Sequence, residues 1–165
     1  SKSLGSTFRC SYIVAPSEVI AALERTAAVT LGQGDAVMQR MLGDLINHGE
    51  LKKHLRRVSK EYRQRRETLL SCLLEAFGEQ IVVQEPEGGL ALWVKFADSI
   101  DVNRLAEKAL ELDLVVRSAR LFSPVDHPEN ALRLGFASLN LEEIRSATQR
   151  LAQAAQAIAS GFALA

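Results

Sequence analysis

Pro86-Glu87-Gly88-Gly89-Leu90-Ala91-Leu92-Trp93-Val94-Lys95-Phe96 is the stretch in which the chain changes its period. The Pro-Glu-Gly-Gly step is turn chemistry. Behind it Leu90, Leu92, Val94 and Phe96 take every second position, the spacing of a strand with one buried face. On the N-terminal side the spacing is helical instead. Leu55, Val58, Tyr62, Leu69, Leu73 and Phe77 recur at helical intervals with lysines and arginines on the other faces, which predicts a long helix that Gly78 ends. On the C-terminal side, Asp101 is placed to cap a helix reaching about Leu112, and Leu114-Val115-Val116 reads as a second short strand. A polar, proline-containing loop over 118–130 leads to a third strand, Ala131-Leu132-Arg133-Leu134-Gly135-Phe136. Asn140 and Glu143 have the spacing of a capping box before a last helix with Ile144, Ala147, Leu151 and Ile158 on one face. From residue 80 onward the order is strand, helix, strand, strand, helix. That order predicts a small α+β domain of two layers, with helices on one face of a short sheet.

Upstream of the long helix, residues 12–15 form a short apolar run read as a strand, and Pro16-Ser17-Glu18 marks its exit and a helix start. Ile20, Leu23 and Ala27 continue that helix until Gly32-Gln33-Gly34 breaks it. Asp35 can cap the next, whose apolar face is Val37, Met38, Met41, Leu42, Leu45 and Ile46, up to Asn47-His48-Gly49.

The 165 residues, 47% apolar and 24% charged, suit a globular chain with a real core. Twenty basic and twenty acidic side chains cancel, so net charge makes no case for nucleic acid, membrane or a strongly acidic substrate. Cys10 and Cys72 lack metal-ligand spacing and fit a reducing compartment, so a cytoplasmic location is expected. No apolar run approaches the roughly 18 to 20 residues that a membrane span needs.

Three segments, taken together, resemble one known family. Ser1-Lys2-Ser3-Leu4, followed by Arg9 and the run Tyr12-Ile13-Val14-Ala15-Pro16, is similar to the cofactor-lysine segment of fold-type I aminotransferases, which use pyridoxal 5′-phosphate. Glu85-Pro86-Glu87-Gly88-Gly89-Leu90 and Asn130-Ala131-Leu132-Arg133-Leu134-Gly135-Phe136 resemble later motifs of the same family, in the same order. In that family the lysine segment lies well inside a longer chain. The resemblance therefore implies that residues 1–46 are a remnant of the large cofactor-binding domain with its junction helices. Residues 47–165 would then be the small C-terminal domain, introduced by the long helix.

The resemblance assigns roles residue by residue. Lys2 is the candidate catalytic and cofactor-binding lysine, because an amine can condense with the cofactor aldehyde and be displaced by a substrate amine. Arg9 offers a guanidinium fork to the cofactor phosphate. The family usually has glycine two residues after this arginine, and here Ser11 stands there. Arg133 matches the family's carboxylate-binding arginine, for which a planar bidentate donor on a rigid strand is suited. Where relatives commonly carry Pro-Gly after the second strand, this chain has Arg117-Ser118, so substrate choice does not carry over.

The other prominent residues read as structural. The basic stretch from Lys52 to Arg66 is interleaved with apolar helix positions and with Glu61, which marks a solvated helix face rather than a nucleic-acid site. His48, His54 and His127 have no metal spacing and no nucleophile partner. Cys10 reads as a small packing residue and Trp93 as packing rather than a cofactor platform.

Two kinds of protein share such a C-terminal part. The chain most resembles the aminotransferase-like domain of MocR-type, GntR-family transcriptional regulators. In these an upstream winged helix reads DNA, and the later domain senses the cofactor or an amino-group ligand and forms a homodimer. The alternative is the C-terminal part of a class I/II aminotransferase moving an amino group between an amino acid and a 2-oxo acid. On either reading the expected ligands are an amino acid, amine or keto acid. DNA contact is expected only through a domain outside these residues, and these residues alone are expected to be inactive.

Overall fold

The computed structural model describes residues 11–30, 35–84, 86, 88–124 and 128–162, and they fall into two compact units that divide after Ser59. In the first unit, helix α1 runs over Ser17–Thr30 and α2 over Ala36–Asn47. Asp35 caps α2 as its sequence position implies, its carboxylate accepting the Met38 N–H at 2.9 Å. At the other end the His48 N–H donates to the Asp44 carbonyl at 3.0 Å, and Gly49 takes a φ of +74°, a value suited to glycine. The chain then turns directly into α3, Glu50–Phe77. Neither α1 nor α2 buries any residue, so the apolar face of α2, on which Val37 is 71% exposed, is not sealed within this unit.

Residues 12–15 are coil rather than the expected strand, with Tyr12 88% and Val14 87% exposed. The reason is a missing neighbour. A strand satisfies its N–H and C=O groups on another strand, and no described strand pairs with this segment.

The second unit holds the sheet. Leu69, Leu73 and Phe77, four residues apart on the end of α3, are buried, and the Phe77 ring meets Phe96 edge to face at 5.3 Å. Gly78, with φ +52°, swings the chain through a short 3-10 turn into strand β1, Ile81–Gln84. There follow β2 (Ala91–Phe96), helix α4 (Val102–Leu110), β3 (Arg117–Ser118), β4 (Ala131–Gly135) and helix α5 (Leu141–Phe162). The four strands pair antiparallel in the order β1-β2-β4-β3. In register, Val83 faces Val94 and Leu92 faces Leu134, so that Leu92, Val94, Phe96, Leu132 and Leu134 form one buried face. On that face pack Val102, Leu105 and Ala109 of α4 and Ile144, Leu151 and Ala154 of α5. This is the α+β, two-layer architecture that the change of period implies.

Two further segments differ from the sequence expectation. Ile81–Gln84 is a strand that the spacing does not announce, because four residues with only Ile81 fully buried carry too short an alternation to stand out. The strand read at Leu114-Val115-Val116 is instead the connection leaving α4. Asp113 adopts φ +56° and the Leu114 N–H donates to the Ala109 carbonyl at 3.0 Å, closing the helix end. Ladder pairing begins only at Arg117, while Leu114 and Val116 stay packed against the core.

The caps hold both later helices in place. Asp101 accepts the Asn103 N–H at 2.8 Å at the start of α4. At α5 the box is reciprocal: Asn140 accepts the Glu143 N–H at 2.9 Å, and Glu143 accepts the Asn140 N–H at 2.7 Å.

Candidate ligand-binding site

Burial of Leu132 and Leu134 decides where Arg133 points. Successive side chains of a strand leave on opposite faces, so Arg133 projects from the face that the helices do not cover, and it is exposed there. Its partners across the ladder are Trp93 on β2 and Arg117 on β3, and Trp93 in turn faces Gln84 on β1. Gln84, Trp93, Arg133 and Arg117 thus form one row across all four strands of the open face.

An aromatic support lies beside this row. The Arg133 guanidinium carbon is 5.5 Å from the centre of the Phe122 ring, and Phe122 meets Trp93 edge to face at 6.3 Å. Trp93 is fixed from its other end, its indole N–H donating to Glu129 Oε2 at 2.9 Å. The second oxygen of Glu129 accepts from Lys95 Nζ at 2.6 Å. These two donors, Lys95 first and Trp93 second, hold the Glu129 carboxyl below its ordinary range. Their support for the folded state is therefore present once pH is above the unfolded carboxyl range, and fades as acid protonates Glu129. Among the described residues, no carboxylate pairs with Arg133.

Asn130 explains why an asparagine opens this strand. Its side-chain amide donates toward the carbonyls of Phe96, Ala97 and Ile100 at 3.2, 3.1 and 2.8 Å, and its carbonyl accepts the Val102 N–H at 3.2 Å. The end of β2, the start of α4 and the start of β4 are thereby tied to one side chain three residues from Arg133. Ser118, buried beside Leu132 in the ladder, adds a bond from its hydroxyl to Asn103 Oδ1 at 3.0 Å. The backbone under Arg133 is consequently held from both sides, as an oriented ligand contact requires.

Of the residues singled out from sequence, Arg133 is on this open face, whereas Lys2 and Arg9 lie outside the described residues, as do Cys10 and His127. Trp93 does pack, but on the open face against Phe122 and Glu129 rather than in the core. Phe122, Glu129 and Arg117 were not singled out as site residues. Their contacts join segments distant in sequence, and the only local signal was Arg117-Ser118 standing where relatives commonly have Pro-Gly. Among the described residues, no group of three or more His, Cys, Asp or Glu side chains could hold a metal ion. No described helix is long and apolar enough to cross a membrane.

Residues 1–151 match the family model for aminotransferase class I and II. The chain is 27% identical over 160 residues to the uncharacterized HTH-type transcriptional regulator YdfD of Bacillus subtilis, covering 97% of this chain and 33% of that protein. It is 28% identical over 153 residues to aromatic-amino-acid aminotransferase 1 of Thermococcus litoralis, covering 93% of this chain and 37% of the relative. The chain thus spans about a third of the length of these curated relatives. Among solved structures it is similar in fold to LysN, an alpha-aminoadipate aminotransferase of Thermus thermophilus crystallised with N-(5'-phosphopyridoxyl)-L-leucine. The TM-score is 0.78 at 24% identity, covering 89% of this chain and 38% of that one.

Proposed function

Because the chain belongs to the aminotransferase class I and II family, we propose that it is the ligand-sensing and dimerisation part of a MocR-type, GntR-family transcriptional regulator that holds pyridoxal 5′-phosphate. Residues 1–46 form the remnant of the cofactor-binding domain in this reading, and residues 47–165 the small domain introduced by α3. DNA recognition belongs to a domain outside these 165 residues. The working unit is a homodimer in the cytoplasm.

The donor set suits the cofactor chemically: the Lys2 amine answers an aldehyde, and the Arg9 guanidinium answers a phosphate. When bound, the cofactor supplies an aldehyde that captures amino groups and a ring that withdraws electrons. What this chain adds is orientation. Arg133 offers two parallel N–H donors to the carboxylate of an amino acid or keto acid, on a strand braced by Asn130 and beside the Phe122 ring.

The observation that carries the ligand-binding part of this reading is the outward Arg133 without a described acidic partner. It is tested in the full-length protein by comparing an amino acid with its carboxyl-free amine. Arg133→Ala is expected to weaken the amino acid by about ten-fold or more, as the loss of a charge-assisted pair implies, and to leave the amine and the cofactor nearly unchanged. Equal losses for amino acid and amine would make Arg133 a structural residue.

The similarity to an HTH-type regulator supports a sensing role. The similarity to an aromatic-amino-acid aminotransferase supports a second reading, the C-terminal part of an enzyme that moves an amino group from an amino acid to a 2-oxo acid. Arg133 has the same task in both.

A further inference from the structure

Arg117 stands directly across the ladder from Arg133, and in an antiparallel pair such residues leave the sheet on the same face. Both side chains are exposed. Like charges placed directly opposite each other are unfavourable, and a neighbouring carboxylate would relieve them. Among the described residues, Glu129, which meets this face, already accepts from Lys95 and Trp93. Among the described residues, no carboxylate pairs with Arg117 or Arg133. Phe122 follows β3 by a single short turn and puts an apolar ring against the Arg133 guanidinium.

We propose that Arg117 and Arg133 together bind a ligand with two carboxylates, Arg133 taking one and Arg117 the other. The inference rests on the reading of Arg133 as the carboxylate anchor and adds the ligand class: a short dicarboxylic amino or keto acid rather than one with an apolar or aromatic side chain. Charge complementarity is the argument. Two arginines opposed across the ladder, neither with a described carboxylate partner, place two positive charges on one face, and a dianion removes their mutual repulsion while satisfying both forks. A monocarboxylate satisfies one fork and leaves the other facing it.

Glutarate and butyrate are the probes, titrated calorimetrically into the full-length protein. Glutarate is expected to bind at least about ten-fold more tightly than butyrate. Arg117→Gln is expected to remove most of that advantage without changing butyrate, and Arg117→Lys to restore part of it. The ligand-free Arg117→Gln protein is expected to melt no lower than the wild type, since it has lost a repulsion and no packing. Glutarate no tighter than butyrate, or an Arg117→Gln loss that is the same for both, overturns the proposal. The two readings fail separately. If Arg133→Ala weakens both acids while Arg117→Gln weakens neither, only the dicarboxylate assignment falls. If Arg133→Ala changes neither acid, the anchor itself is misassigned and the dicarboxylate assignment falls with it.

Discussion

At Arg133 two demands meet in one short strand: Leu132 and Leu134 must be buried, and the residue between them must then face the uncovered side. The strand itself was readable in sequence, and once it forms, the alternation of Leu132, Arg133 and Leu134 sets the direction of the arginine. The surroundings were not readable. Glu129 grips Trp93 across 36 residues, and Phe122 reaches both Trp93 and Arg133 through a turn whose path no periodicity announces. Asn130 is intermediate: its place at the head of a family-like motif was visible, but its bonds to Phe96, Ala97, Ile100 and Val102 depend on the loop that β2 and α4 leave between them. Lys2 and Arg9 rest on local sequence alone. If Lys2 holds the cofactor in the full-length protein, borohydride reduction is expected to fix pyridoxal phosphate covalently to the peptide containing residues 1–9, and Lys2→Ala to abolish that product. A label found by mass spectrometry on Lys60 or Lys95 instead would remove the assignment.

At the scale of elements, helices were read more accurately than strands. The helix signals are local: Asp35, Asp101 and Asn140 each make the cap their position implied, and Leu69, Leu73 and Phe77 bury one stripe. A strand is completed by a partner elsewhere in the chain. Residues 12–15 have an apolar run without a described partner and stay as coil. Ile81–Gln84 is a strand because β2 lies beside it, whatever its own weak pattern. The capping box of α5 gives a direct test at this scale. Asn140→Ala removes an acceptor for two backbone N–H groups and is expected to destabilise the protein by about 1 kcal/mol. Asn140→Asp is expected to cost little, because a carboxylate accepts the same bonds and favours a helix N-terminus. Chemical denaturation measures both, and equal losses for the two variants would mean that the cap does not hold this helix.

For the whole molecule, the described residues comprise two units, and only the second encloses a core, under its sheet. The fold class was legible because the spacing turns from helical to alternating after the long helix and then changes between the two, and because three motifs kept a known order. Regulator and enzyme could not be separated that way. Both use the same small-domain physics, and what distinguishes them is whether ligand energy biases a conformational equilibrium or lowers a chemical barrier. The proposed function is the first of these. Its most direct test is fluorescence anisotropy of the full-length protein on its own promoter DNA, with and without pyridoxal phosphate and an added amino acid, with transamination of that amino acid followed in parallel. The expected result is an operator affinity that changes by about five-fold or more with ligand, together with turnover well below about 1 per second. A full-length protein that binds no DNA and transaminates at about 1 per second or faster would contradict it.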